Sequence, residues 1–237
     1  MAPAPGAMIL AAGRGERMRP LSDATPKPLL RVGGKPLVVW QLEALVRAGF
    51  VDVVVNVSHH AAMIVEALGD GRAFGARIAW SREPEPLEVA GGIATALPLL
   101  PPGPLLVVSG DVWTAYDYAP LRTRAQAMAA DAAAPRAHLV MVPNPPYHPT
   151  GDFALRDGAV VDDAVAALTF GNVALYDSAL FAGVPRGVKL KMLPLFRAWI
   201  ARGIVSGERY DGPWANVGTP ADLAALDATL TRAPLAT

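Results

Sequence analysis

The string A-M-I-L-A-A-G-R-G-E-R-M-R-P-L-S-D-A-T-P-K-P, from Ala7 to Pro28, gathers glycines and cations that suit phosphate chemistry. Gly13 and Gly15 can take backbone angles closed to other residues, and they let a ligand approach the main chain. The freed N–H groups of such a turn form an anion-binding hollow. Arg14, Arg17, Arg19 and Lys27 bring positive charge to the same neighbourhood. Turn and cations together read as a polyphosphate site. A second chemical group lies far along the chain, where Ser109-Gly110-Asp111 follows an apolar run. A carboxylate placed there can face a crevice and hold a magnesium ion.

Two familiar phosphate loops do not fit. A dinucleotide fingerprint needs a third glycine three places after Gly15, where Met18 stands. A P-loop needs G-K-[ST] to close it, and that triplet is absent from the sequence. The spacing is G-x-G-x-R-x-x-P followed by P-K-P.

The elements that must position these groups alternate. Met8 to Ala12 reads as a buried strand ending at the glycine turn. Pro36 is placed as the first-turn proline of a helix to about Ala48, with Gly49 ending it. Asp52 to Val57 is a β-branched run, read as a parallel strand. A helix over His60 to Leu68 and a strand over Ala76 to Trp80 follow. A helix over Gly91 to Leu99 and a strand over Leu105 to Val108 complete the series. This rhythm predicts right-handed parallel βαβ units, with ligands at the carboxyl ends of the strands. Gly13 and Asp111 both fall just past strand ends, so they can share one crevice.

Beyond Asp111 the pattern changes. Helices are expected over Ala119 to Ala134, Lys191 to Arg202 and Pro220 to Leu230. Strands are expected over His138 to Val142 and Leu168 to Tyr176, with a hairpin from Asp152 to Asp162 about Asp157-Gly158. The second half reads as sheet extensions over the crevice. His59, His60, His138 and His148 lack metal-ligand spacing and read as turn or surface residues. The methionines and tryptophans read as core.

Composition sets limits. The 237 residues suit one α/β domain, and an apolar share of 52% can fill its core. Basic and acidic residues balance at 21 each, which argues against a nucleic-acid or membrane surface. With no cysteine there is no thiol chemistry, which fits a cytoplasmic protein. No apolar run approaches a membrane span. The start M-A-P-A-P-G-A lacks the features of a signal peptide and reads as a frayed leader.

The string from Gly13 to Lys27 resembles the signature of the sugar nucleotidyltransferases, which join a nucleoside triphosphate to a sugar 1-phosphate. The resemblance runs from Met8 to about Leu230. It implies a Rossmann-like, mainly parallel mixed sheet flanked by helices. It also implies one domain over 1–237, with a nucleotide half over 7–115 and a sugar half over 116–237. The implied catalytic residues are Arg17, Lys27 and Asp111. The implied nucleotide contacts are Ala11, Ala12, Gly13, Gly15, Glu16, Arg17, Lys27, Glu83, Glu88 and Gly91. Within these, E-P-E-P-L-E-V-A-G-G resembles the family's base-reading loop, and Glu83 stands where an imide N–H would be accepted. Many relatives carry Leu-Gly-Thr where this chain has Leu87-Glu88-Val89.

On the sugar side the resemblance implies Gly110, Gly151, Asp152, Asn172 and Lys191, with Lys189 a rival for the lysine that meets the sugar phosphate. The family's W-x-x-V-G-T is found at Trp214 to Thr219. The implied Mg²⁺ ligands are Asp111 and Asn216, the latter standing where many relatives have aspartate. E-R-M-R-P-L, E-P-L-E, G-D-V-W and V-S-G-E are similar to a bacterial branch that acts on UTP and N-acetylmuramate α-1-phosphate in peptidoglycan recycling. The partners implied are therefore UTP and that sugar phosphate, in a monomer or weak homo-oligomer. GTP with mannose or heptose 1-phosphate, and UTP or dTTP with glucose 1-phosphate, are alternative pairs. Asn216 and Val89 also leave open a nucleotide-sugar sensor without turnover.

Overall fold

The computed structural model describes residues 5–165 and 167–232. Residues 1–4 of the expected leader lie outside the described residues, whereas Gly6 and Ala7 already belong to the first strand.

The strands are β1 Gly6–Leu10, β2 Arg31–Val32, β3 Lys35–Pro36, β4 Asp52–Val57, β5 Arg77–Arg82, β6 Pro104–Ser109 and β7 Val112–Thr114. They continue with β8 Ala137–Val142, β9 Ala154–Arg156, β10 Ala159–Val161, β11 Thr169–Asp177, β12 Val205–Arg209 and β13 Trp214–Asn216. The helices are α1 Leu21–Ala24, α2 Leu37–Arg47, α3 Ala61–Leu68, α4 Glu88–Ala96, α5 Ala119–Ala130, α6 Leu193–Ala201 and α7 Pro220–Arg232.

Among the described residues, nine strands form one sheet in the order β5-β4-β1-β6-β11-β8-β12-β10-β9. Strands β5, β4, β1 and β6 run parallel, as the alternating pattern requires. Strand β11 enters antiparallel between β6 and β8 and joins the two halves of the chain through backbone hydrogen bonds. The fold is thus a mixed, mainly parallel α/β sheet flanked by helices, as the resemblance implies.

Period-two side-chain alternation divides the core. Ala7, Ile9, Val53, Val55, Leu106 and Val108 face α2, α3 and α5. Met8, Val54, Leu105, Val107 and Tyr176 face α4 and α6, where Phe196 and Trp199 pack edge-to-face. Each such buried aliphatic side chain contributes about 1.5–3 kcal/mol of transfer free energy. A third cluster sets Met18, Val32, Trp113 and Val217 beneath Leu226 and Leu230 of α7. It clamps the phosphate-turn segment and the Val-Gly-Thr segment together.

Several expected boundaries move for local reasons. Strand β1 stops at Leu10 because the Ala11 N–H leaves the ladder to donate to Asn56 Oδ1 (2.8 Å). Pro36 is the N-cap of α2, not its first helical residue. Helix α4 begins at Glu88, three residues before Gly91, and ends in a 3-10 turn over Leu97–Leu99. Helix α5 stops at Ala130, and α6 runs over Leu193–Ala201. The β9–β10 hairpin turns at Asp157 and Gly158, both at positive φ.

His138 corrects the surface reading: it is 1% exposed, in the middle of the sheet on β8. His138 Nδ1 and Ser206 Oγ are within hydrogen-bond distance (2.8 Å), and Ser206 Oγ also lies 3.3 Å from the Ala137 carbonyl. His138 Nε2 lies 3.3 Å from Glu208 Oε2. The imidazole, with the Tyr116 hydroxyl and Arg124 behind it, holds the Glu208 carboxyl at about 2, overcoming the opposing effect of burial. A depressed carboxyl contributes stability above its unfolded pKa and loses it as pH falls through the folded one. Glu208→Gln is therefore expected to cost about 1–2 kcal/mol at neutral pH, discounted for partial exposure. The deficit should vanish as pH falls from 4.5 towards 2. Urea unfolding of both proteins across that range checks this; a deficit that does not change with pH would contradict it.

Candidate active site

The carboxyl ends of β1, β4, β5 and β6 open onto a cleft of about 850 Å³. Its lining includes Ala11, Ala12, Gly13, Gly15, Glu16, Arg17, Lys27, Glu83, Glu88 and Asp111. The first turn and the Gly110-Asp111 corner thus share one crevice, as the strand-end rule implies. Arg14, Asn56, Leu87, Val89, Lys189 and Gly218 complete parts of the wall.

Gly15 lies at φ 63°, and a β-carbon there would come within 3.1 Å of Lys27 Cβ. The glycine thus lets the lysine stem pass behind the turn. Lys27 is 8% exposed, and its Nζ donates to Asp111 Oδ2 at 2.5 Å. One backbone arrangement fixes the carboxylate: the Gly110 N–H donates to the Leu10 carbonyl (2.9 Å), and the Asp111 carbonyl accepts from Val217 N–H (3.1 Å).

The same corner brings in the second half of the chain. Strand β13 pairs with β7 so that Asn216 faces Val112, the residue after Asp111. The Val-Gly-Thr segment is held by a capping box at α7. Asp222 Oδ2 accepts from the Gly218 and Thr219 N–H groups at 3.0 and 2.8 Å, and Thr219 Oγ1 accepts from Asp222 N–H at 3.2 Å. Gly218 then lies against the Arg17 guanidinium, with 3.5 Å between a β-carbon position and the nearer nitrogen.

A second hollow of about 450 Å³ adjoins the first, and Arg17 lines both. Asp152, Asn172 and Asn216 stand in its wall with Tyr147, Phe170 and Trp214. Asp152 Oδ2 accepts from Phe170 N–H (2.8 Å), and the Trp214 indole donates to the Gly171 carbonyl (2.9 Å). Asn172 sits at φ 57° where the β11–β8 register shifts, and Glu88 at φ 62° where α4 begins. Left-handed backbone at non-glycine residues costs about 1–3 kcal/mol each and gathers at functional clefts. Here one such residue lines each hollow.

Four of the singled-out residues are placed elsewhere. Gly110 packs against Leu10 and Ile9 outside the cleft lining. Gly91 lies against the Val188 carbonyl, which leaves no room for a β-carbon. Gly151, at φ 65°, is pressed on Ala167 and Asn144. Lys191 lines neither hollow, whereas Lys189 lines the first. The reason is a backbone staple. The Ala90 and Gly91 N–H groups donate to Leu190 O at 3.1 and 3.2 Å, and Leu190 N–H donates to Leu87 O at 2.9 Å. These bonds fix the segment across α4 with Lys189 at the cleft.

Glu83 and Asn56 are 5% and 3% exposed. Asn56 Nδ2 donates to Glu83 Oε1 (2.7 Å), and Leu87 N–H donates to Glu83 Oε2 (3.0 Å). Burial pushes the Glu83 carboxyl up, opposed by those two hydrogen bonds. Both oxygens of Glu83 therefore have protein donors. Asn56 and Tyr147 were not singled out from the sequence. A polar residue inside D-V-V-V-N-V was a readable signal for Asn56; Tyr147, in P-P-Y-H-P, offered none.

Asp111 and Asn216 offer hard oxygen donors and a single negative charge. No group of three or more His, Cys, Asp or Glu able to cage a metal occurs among the described residues. A donor set of this kind suits Mg²⁺, which takes one or two protein oxygens and fills its shell with water and phosphate.

A Rossmann-like sheet with a cationic glycine turn facing a carboxylate across a two-part cleft is the arrangement of an enzyme that transfers nucleotides. The nucleotidyl transferase family model matches residues 6–147, and the chain belongs to that family. It is 48% identical over 217 residues to the N-acetylmuramate alpha-1-phosphate uridylyltransferase of Neisseria meningitidis serogroup B, covering 90% of this chain and 93% of the relative. The enzyme of the same name from Caulobacter vibrioides is 37% identical over 239 residues, covering 96% and 97%. A solved structure from Bacillus anthracis, assigned by name to the glucose-1-phosphate thymidylyltransferases, superposes with TM-score 0.86 over 99% of this chain and 98% of its own, at 19% identity. No helix among the described residues is long and apolar enough to cross a membrane.

Proposed function

We propose that the chain joins UTP and N-acetylmuramate α-1-phosphate to give UDP-N-acetylmuramate and pyrophosphate. The choice of substrates is supported by full-length similarity to two uridylyltransferases of that name. The observation that carries the mechanism is the meeting of the glycine turn, Lys27 and Asp111 at one end of two hollows bridged by Arg17. The nucleotide takes the larger hollow, and the sugar takes the smaller one beside Asp152 and Asn172. The two halves, 7–115 and 116–237, thus work as one unit, in the cytoplasm where UTP is available.

The triphosphate lies along the turn, where main-chain N–H groups of Gly13 and Gly15 donate to its oxygens. Lys27 and Arg17 offset its charge, and Arg17 can grip two oxygens at once. A phosphate oxygen of the sugar attacks the α-phosphorus, the bond to the β-phosphate breaks, and pyrophosphate leaves. The protein's task is to hold the two reactants in line, so no side-chain nucleophile is required. Lys189 is the better-placed cation for the incoming phosphate, and Lys191 is set aside. Asp111 and Asn216 would hold Mg²⁺, which supplies charge neutralisation on the phosphate oxygens.

A matrix of four nucleoside triphosphates against several sugar 1-phosphates, read as pyrophosphate release with magnesium, tests the proposal. Turnover is expected to be highest with UTP and N-acetylmuramate α-1-phosphate. Preference for GTP, or for glucose 1-phosphate, would reassign the substrates. Binding of UTP without turnover of any pair would make the chain a sensor.

A further inference from the structure

Asn56 and Glu83 are the two polar side chains buried deepest against the cleft, and the reaction uses neither. They form a continuous link. The Ala11 N–H, at the start of the phosphate turn, donates to Asn56 Oδ1 (2.8 Å). Asn56 Nδ2 donates to Glu83 Oε1 (2.7 Å), and Glu83 Oε2 accepts from Leu87 N–H (3.0 Å) in the loop over the other wall. Helix α4 presses on the joint: a β-carbon at Gly92 would lie 2.9 Å from both Asn56 Nδ2 and Glu83 Oε1.

We infer that Asn56 and Glu83 are positioning residues that set the span between the phosphate turn and the base-side loop, so that one nucleotide fits both. The inference rests on the nucleotide-transfer reading above. Glu83 in this role holds the loop and does not read the base, which leaves base recognition to the main chain of Glu85 to Val89 and to groups beyond it.

The logic is one of polarity. Both ends of the link are main-chain N–H groups pointing inward, so each end needs an acceptor. The joint between the side chains then needs one donor and one acceptor. Asparagine followed by an ionised glutamate satisfies this. Aspartate followed by glutamine satisfies it equally, with the charge moved to the other partner. Neither single exchange does. Asn56→Asp sets two carboxyl groups face to face, which match only at the cost of binding a proton, and Glu83→Gln sets an amide nitrogen against the Asn56 Nδ2 donor. Buried polar groups left unmatched are costly, so the wall must move.

The test compares Asn56→Asp, Glu83→Gln and the double variant Asn56→Asp/Glu83→Gln, in the full chain. Each single exchange is expected to raise the Kd for UTP, measured by calorimetry with magnesium, roughly tenfold or more, and the double to return within about threefold of the parent. The KM for UTP should follow the same pattern, with kcat changing less. Amide hydrogen exchange at Ala11 and Leu87 in nucleotide-free protein reads the link without any catalysis. Both amides should be protected in the parent and the double variant, and should exchange faster in the singles.

A parent that turns over no nucleotide–sugar pair, with both amides protected as expected, would refute the catalytic reading and leave the link intact. Singles that bind UTP like the parent would overturn the inference, as would a double variant no better than the worse single. Should the singles fail to fold, a folded double variant that binds UTP supports the inference, and an unfolded one refutes it.

Discussion

Replacing Asp111 by alanine is expected to lower magnesium-dependent pyrophosphate release by about a thousandfold or more, with the fold retained. The side chain is half-exposed in the cleft, and its described hydrogen bond is to Lys27. The structural part of the residue is its backbone carbonyl, bonded to Val217, which the substitution keeps. On the proposed mechanism, what disappears is the one charge that would face the metal, leaving Asn216 with an uncharged oxygen. Raising magnesium should recover little, since the neighbouring Asp222 carboxylate is engaged by the Gly218 and Thr219 N–H groups. Asp111→Asn should recover only a small part, because shape returns without charge. Initial rates across a magnesium series, with thermal unfolding as the control for folding, check this. Activity within tenfold of the parent would remove Asp111 from the reaction.

Lys27→Met is expected to cost about a hundred- to a thousandfold in kcat/KM. Lys27 is the buried cation of the cleft, and the glycine at position 15 makes room for its stem. It is paired with Asp111 at 2.5 Å. On the proposed mechanism, Asp111 would hold the metal and Lys27 would be released to offset charge on the phosphates. Methionine keeps the length and the packing but brings no charge. Lys27→Arg should not rescue it: the site is buried around a compact ammonium, and a larger planar guanidinium is a poor substitute for a point charge there. UTP affinity should fall with activity in both variants. Unchanged UTP binding in Lys27→Met would show that the lysine serves Asp111 alone.

The first half of the chain was legible because its signals are local. Val53, Val54 and Val55 announce a buried strand, and Val39, Leu42 and Leu45 a helical stripe, without reference to any partner. Gly13 and Asp111 could be placed together because both follow such strands. The second half depends on pairings between distant residues. Nothing in Thr169 to Asp177 tells that this strand runs antiparallel between β6 and β8. Strands β7 and β13 have three residues each, too short for a period to register, yet they bring Asn216 beside the Asp111 corner.

The side-chain misreadings share that cause. His138 looked superficial because its partners, Ser206 and Glu208, lie far along the chain on the adjacent strand. Gly91 and Lys191 were singled out by motif position, but the staple from Leu190 to α4 turns Lys189 to the cleft instead. Glu83 lies in the cleft wall, and only its two donors, Asn56 and the Leu87 amide, show that its oxygens are engaged.

The proposed reaction depends on where the reacting phosphorus sits. A crystal structure of the protein with UTP and Mg²⁺ is the most direct measurement. The triphosphate should lie along Gly13 to Gly15, with its α-phosphate between Lys27 and Asp111 and the metal on the Asp111 carboxylate. A nucleotide bound in the smaller hollow, or with its phosphates turned away from Gly15 and Asp111, would contradict it.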